Sequence, residues 1–91
     1  MDNIARHQAI LMEIHDIYVA KNHDYGNSFH LSYLEEGAAM PRIRLSDKLN
    51  RFKTLTKGQH HSAVKDESIR DTLLDLANYA IMTIMELEGE E

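Results

Sequence analysis

Residues 66–87 read DESIRDTLLDLANYAIMTIMEL, and this stretch decides the fold of the 91-residue chain. Its apolar residues recur at helical spacing and cover nearly the whole helix circumference in the second half of the stretch. A helix with so little polar surface is expected at the centre of a fold. Asp66 or Ser68 is its expected N-cap, and we expect the helix to end near Leu87. Its one clearly polar sector is narrow and holds Ser68, Thr72, Tyr79, Thr83 and Glu86.

Three more helices are predicted upstream. The first runs to about Ala20 and carries the apolar stripe Ile4, Leu11, Ile14 and Tyr18. Turn-forming residues follow over 21–28, and among them Gly26 is suited to a positive φ.

A short helix is predicted over 29–36, ended by Gly37, and a longer one from Pro41 to near Gly58. Residues 59–62 are predicted as a loop. Because no strand-like alternation is visible, the predicted fold class is all-α, a small helical bundle with three main helices and a short one.

The length of the chain favours one domain over residues 1–91, which is too short to be divided into two cores. So small a chain buries a limited share of its apolar surface, so we expect a homo-oligomer, at least a dimer. There is no cysteine, and no apolar run is long enough to span a membrane. A soluble protein located in the cytoplasm is expected, in the host cytoplasm if a phage encodes it.

Charge is divided unevenly along the chain. Residues 41–58 hold six basic side chains and one acidic side chain, which gives +5, whereas the remainder carries −10. A long polyanion such as DNA would meet mostly repulsion, but a small phosphate ligand needs only the basic stretch. The charge pattern therefore favours a small anionic ligand over nucleic acid.

An acidic row marks one face of the last helix. Glu67, Asp71 and Asp75 are four residues apart, and Asn78 follows three residues later, so all four share a sector. Stacked carboxylates repel one another, but their oxygens are the ligands that Mg²⁺ prefers. A magnesium site is one interpretation, and a solvated acidic stripe is the other.

A basic row on the preceding helix offers partners for these acids. Arg44, Lys48 and Arg51 share one face, with Asp47 at its edge. Two outcomes stay open: interhelical salt bridges, or a cleft in which Mg²⁺ on the carboxylates and cations on the other wall hold a polyphosphate. His60 and His61 are expected to be loop histidines, since adjacent residues do not have the spacing of zinc ligands.

Three blocks, at residues 21–26, 42–51 and 66–80, together resemble a phage and bacterial family called nucleotide modification associated domain. That family in turn resembles the MazG-like all-α enzymes. The resemblance implies a Mg²⁺-dependent, dimeric or tetrameric helical protein that hydrolyses nucleoside triphosphates to monophosphate and pyrophosphate.

Carried over position by position, the resemblance gives the acidic row a catalytic and metal-binding role, with Asp47 as a further metal ligand. The residues expected to bind the nucleotide, from their side-chain chemistry, are Lys21, Asp24, Tyr25, Arg44, Lys48, Arg51 and Asn78. The alternative for two of them is structural, with Tyr25 packed against the bundle and Asp24 closing a turn.

The paired glutamates of the EExxE motif found in MazG-like enzymes are absent. The alternative is therefore a non-catalytic phage protein that sequesters a nucleotide or a nucleotide-derived immune signal. A third hypothesis is a purely structural helical partner protein, in which the acidic and basic rows only pair with each other.

Overall fold

A computed structural model describes residues 2–58 and 63–89 of the chain. It contains four helices, α1 (Asn3–Tyr25), α2 (Ser28–Glu36), α3 (Ala39–Thr56) and α4 (Ala63–Glu88). These residues include no strand, and the prediction of an all-α fold with three long helices and one short helix is confirmed. The predicted loop at 59–62, with His60 and His61, lies outside the described residues.

The first helix is longer than its sequence predicts. Asp2 caps it, because its carboxylate accepts a 2.7 Å hydrogen bond from the Ala5 N–H. The predicted end near Ala20 is wrong: the helix continues to Tyr25, since turn-favouring residues lower helix propensity without breaking a helix. Gly26 ends it with the predicted positive φ of 63°.

The helices α3 and α4 begin before their predicted first residues. Pro41 lies in the first turn of α3, where its missing N–H leaves no intrahelical hydrogen bond unmade. Asp66 and Ser68 are wrong as N-cap predictions, because α4 already begins at Ala63. Asp66 instead lies in the first turn, where its negative charge interacts favourably with the positive end of the helix dipole.

As its sequence predicts, α4 is central and contacts each of the other three helices. The buried apolar residues of the described chain are Ile14, Tyr33, Met40 and Leu74, with Pro41 beside them. Polar side chains complete this small core, since Thr72 and Asn78 are also buried. Asn78 holds α4 against α1 by donating a 3.1 Å hydrogen bond from Nδ2 to the Ile14 carbonyl oxygen.

A surface ion pair also joins α1 to α4. The Arg70 guanidinium donates hydrogen bonds of 2.7 and 2.6 Å to the two oxygens of Glu13. These bonds lower the pKa of Glu13 below its usual value, and the same pairing raises the pKa of Arg70. Because both side chains lie at the surface, solvent screens the pair and its contribution to stability is small.

Not all of the apolar surface of α4 is covered. Four large side chains on the face opposite Asp75 stay exposed: Leu73, Ile81, Ile84 and Leu87. Around the axis of α4, the centre of this face lies between Thr72, which contacts α3, and Arg70, which contacts α1. None of the helices in the described ranges is both long and apolar enough to cross a membrane.

Candidate functional site

A cleft of about 770 Å³ opens on the other side of α4, bordered by the end of α1, the start of α2 and part of α3. The wall formed by α4 includes Asp75, Asn78, Tyr79, Met82 and Glu86. At about 100° per residue, these positions share one face of the helix. The cleft therefore follows one face of the central helix, opposite the face that carries Leu73, Ile81, Ile84 and Leu87.

One end of the cleft is organised around Asp75. Its Oδ1 is 3.4 Å from the Lys21 Nζ on α1, and its Oδ2 is 3.0 Å from the Lys48 Nζ on α3. One carboxylate thus lies between two ammonium groups and neutralises only one charge. The cluster of Asp75, Lys21 and Lys48 carries a net positive charge.

Arg44 adds a further cation to this end. It lies one helical turn before Lys48 on α3 and lines the cleft. Within residues 2–58 and 63–89, its guanidinium has no hydrogen bond or ion pair. The cationic end of the cleft, defined by Lys21, Arg44 and Lys48 around Asp75, therefore has donors free for an anion.

The far end of the cleft has a different character. Glu86 and His30 approach to 2.8 Å between Oε2 and Nδ1, and both residues line the cleft. Between the two ends, the rings of Phe29 and Tyr79 stack with centroids 6.1 Å apart and planes 20° from parallel. Because Glu86 lies eleven positions after Asp75 on α4, the two ends are about 16 Å apart along the helix axis.

The cleft unites part of the predicted site. The predicted residues that line it are Lys21, Tyr25, Arg44, Asp75 and Asn78. Lys48 is not a lining residue, but its ammonium group contacts the Asp75 carboxylate at the edge of the cleft. Asn78 is buried, and its Nδ2 donates to the Ile14 carbonyl oxygen of α1.

Other predicted residues lie elsewhere. Asp24 is exposed in the last turn of α1 and does not line the cleft. Arg51 donates from Nε to the Thr72 hydroxyl at 3.2 Å, outside the cleft.

The predicted metal ligands are not gathered into one group. Glu67 and Asp71 are exposed on the first half of α4, and Asp47 is exposed on α3. No three Asp, Glu or His side chains in the described parts of the chain are placed to hold a metal ion together. The catalytic and metal-binding roles of Glu67, Asp71 and Asp75 stay predictions.

Sequence reasoning missed His30, Phe29, Tyr79 and Glu86 as cleft residues. A signal for two of them was present, because Asp75, Tyr79 and Glu86 follow one another at steps of four and seven. The sequence places Tyr79 and Glu86 in the narrow polar sector of the last helix, and that sector carries no prediction of a site. No pattern in the sequence predicts that α2 brings His30 to this face of α4.

Most of the chain resembles a known protein family. A family model described as nucleotide modification associated domain 1 matches residues 21–87, which include the residues that line the cleft except Tyr18 and Gly89. No curated protein and no solved structure matches the chain. Since the matched segment is about three quarters of the sequence, the chain belongs to the nucleotide modification associated domain 1 family.

Proposed function

We propose that this protein binds a nucleotide in the cleft, with the phosphates at the cationic end. The observation that carries the proposal is the guanidinium of Arg44, which lines the cleft and has no partner within residues 2–58 and 63–89. At the same end of the cleft, the single negative charge of Asp75 is paired with two lysines, so a net positive charge remains. Guanidinium groups bind phosphate oxygens in a bidentate manner, and ammonium groups add point charge. The strongly acidic remainder of the chain favours a small ligand of this kind over nucleic acid.

The size and the aromatic lining of the cleft suit the rest of a nucleotide. Its volume of about 770 Å³ lies within the range typical of small-molecule sites. Tyr25 is largely exposed at the cleft margin, and the Phe29–Tyr79 stack lies deeper along the wall. A nucleobase offers a flat π-face that packs well on such side chains.

Within the described ranges 2–58 and 63–89, the predicted donor set does not fit a magnesium ion. Asp75 is occupied by Lys21 and Lys48, and the neighbouring carboxylates of Glu67 and Asp71 are not grouped with it. Binding without cleavage is therefore the function that these contacts support. Sequestration of a nucleotide or a nucleotide-derived signal is the corresponding role. The relation to MazG-like enzymes, which would bring Mg²⁺-dependent hydrolysis, stays a prediction.

The test is incubation of the purified protein with pooled nucleoside triphosphates and cyclic nucleotides, with and without Mg²⁺, followed by analysis of bound and free species. We expect intact nucleotide to be recovered when the washed protein is denatured. Release of pyrophosphate that Asp71→Ala abolishes would instead favour hydrolysis. Absence of both retained ligand and product would overturn the proposed function.

We also propose that the exposed apolar face of α4 binds a second copy of the chain. A monomer with so few buried apolar residues leaves Leu73, Ile81, Ile84 and Leu87 in water, and burial of such a patch favours association. Because this face lies opposite the cleft, association through it leaves the cleft open to ligand.

Ile84→Glu is expected to convert the homo-oligomer into monomers, because a charge would have to be buried in an apolar interface. The measurement is molar mass by light scattering after size exclusion. The matched control is Leu31→Glu, at a similarly exposed position on α2, which should leave the mass unchanged. A wild-type protein that stays monomeric at high concentration would contradict the proposal.

A further inference from the structure

We propose that Glu86 and His30 form a base-recognition site that selects guanine nucleotides. The inference rests on the proposed function, because it assigns the far end of the same cleft. Glu86 and His30 are separate from the residues that form the cationic end. Glu86 lies about 16 Å along α4 from Asp75, on the same helix face, so a nucleotide with its phosphates at Asp75 extends its base toward Glu86.

The environment of Glu86 is unusual for a carboxylate. Its side chain is only 15% exposed, and it lies beside Met82 and Met85 in the cleft wall. In the described ranges of the chain, its one side-chain partner is His30. A carboxylate has about four lone-pair positions, so acceptor capacity remains for a ligand. A half-satisfied carboxylate in a largely apolar wall gains strongly from a ligand that donates hydrogen bonds to it.

Among the nucleobases, guanine is the best hydrogen-bond donor to a carboxylate. Its N1–H and N2 amino group are adjacent donors on one edge, and together they match the two oxygens of a carboxylate. Adenine and cytosine each place a ring acceptor beside their amino group, and thymine flanks its single N–H with two carbonyl oxygens. Each of these three bases would bring a lone pair against the negative charge of Glu86.

His30 acts as a positioning residue for this carboxylate. An ionised Glu86 is only an acceptor, so the His30 Nδ1 carries the proton and donates toward the two oxygens, at 3.1 and 2.8 Å. Because His30 lies on α2 and Glu86 on α4, the bond fixes the carboxylate from a second element. Restricting its rotation orients both oxygens before the base arrives.

The experiment compares affinities for dGTP, dATP, dCTP and dTTP by isothermal titration calorimetry in a buffer containing a metal chelator. The wild-type protein is expected to bind dGTP roughly 10-fold or more tightly than the others, as for one bidentate base contact. Glu86→Gln replaces one oxygen by a donor and is expected to abolish the preference. Glu88→Gln makes the same change at an exposed position of α4 outside the cleft and should preserve it.

A second pair of variants tests His30 without touching the carboxylate. His30→Ala is expected to reduce the dGTP preference several-fold, and His30→Asn, whose Nδ2 replaces the Nδ1 donor, is expected to restore it. Equal affinities for all four nucleotides, or a dGTP preference that survives Glu86→Gln, would overturn the base-recognition site while leaving the proposed function intact. Absence of binding by every nucleotide would overturn both.

Discussion

Arg44→Ala is expected to lower the affinity for a nucleoside triphosphate by roughly 10- to 100-fold. Hydrogen bonds to a charged group are each worth about 1.5–3 kcal/mol, and the guanidinium of Arg44 has no competing partner in the described chain. Loss of this cation also leaves Lys21 and Lys48 as the remaining donors, and both already contact Asp75. Isothermal titration calorimetry of the two proteins measures the difference.

Arg42→Ala is the matched control for this experiment. Arg42 is an exposed arginine two residues away on α3, and it does not line the cleft. Its removal changes the net charge by the same amount, so the general electrostatic effect is common to both variants. Equal losses of affinity in the two variants would mean that the ligand responds to net charge and not to a contact in the cleft.

Leu74→Ala is expected to reduce the free energy of unfolding by about 2–5 kcal/mol, the usual range for a buried leucine. Leu74 is 7% exposed and lies on the central helix among very few other buried apolar residues. Small domains are stabilised by only about 5–15 kcal/mol, so a change of this size removes a large part of the total. Urea denaturation followed by circular dichroism gives the value from the midpoint and slope.

The same substitution at a solvent-exposed leucine provides the comparison. Leu34 on α2 is 66% exposed, and Leu34→Ala is expected to change the stability by less than about 0.5 kcal/mol. Similar losses at Leu74 and Leu34 would contradict the packing of α4 described above. A destabilised Leu74→Ala protein that still binds nucleotide at low temperature would show that core and cleft contribute separately.

The fold class follows from sequence because helical periodicity is a local property. The pattern of residues 66–87 predicts a central helix, and Gly26 and Gly37 mark two helix ends with positive φ. Helix starts were less predictable. Asp66 and Ser68 have side chains that are typical of N-caps. The type of side chain alone does not fix the first residue of a helix, and α4 begins at Ala63.

Only half of the candidate site follows from sequence. The rows of charge on α3 and α4 predict that opposite charges meet, and Lys48 and Asp75 do so. Which acids of a row meet a partner depends on where the helices cross. Asp75 lies beside α3, whereas Glu67 and Asp71 remain exposed. The His30–Glu86 pair joins residues 56 positions apart, and no local rule anticipates such a contact.

The most direct test of the cleft as a nucleotide site is a titration of isotope-labelled protein with dGTP, followed by amide NMR shifts residue by residue. We expect saturable shifts that cluster at Lys21, Tyr25, Arg44 and Tyr79, with little change at Ile81 and Ile84 on the opposite face of α4. Shifts that never saturate, or that concentrate on that opposite face, would contradict a nucleotide site in the cleft.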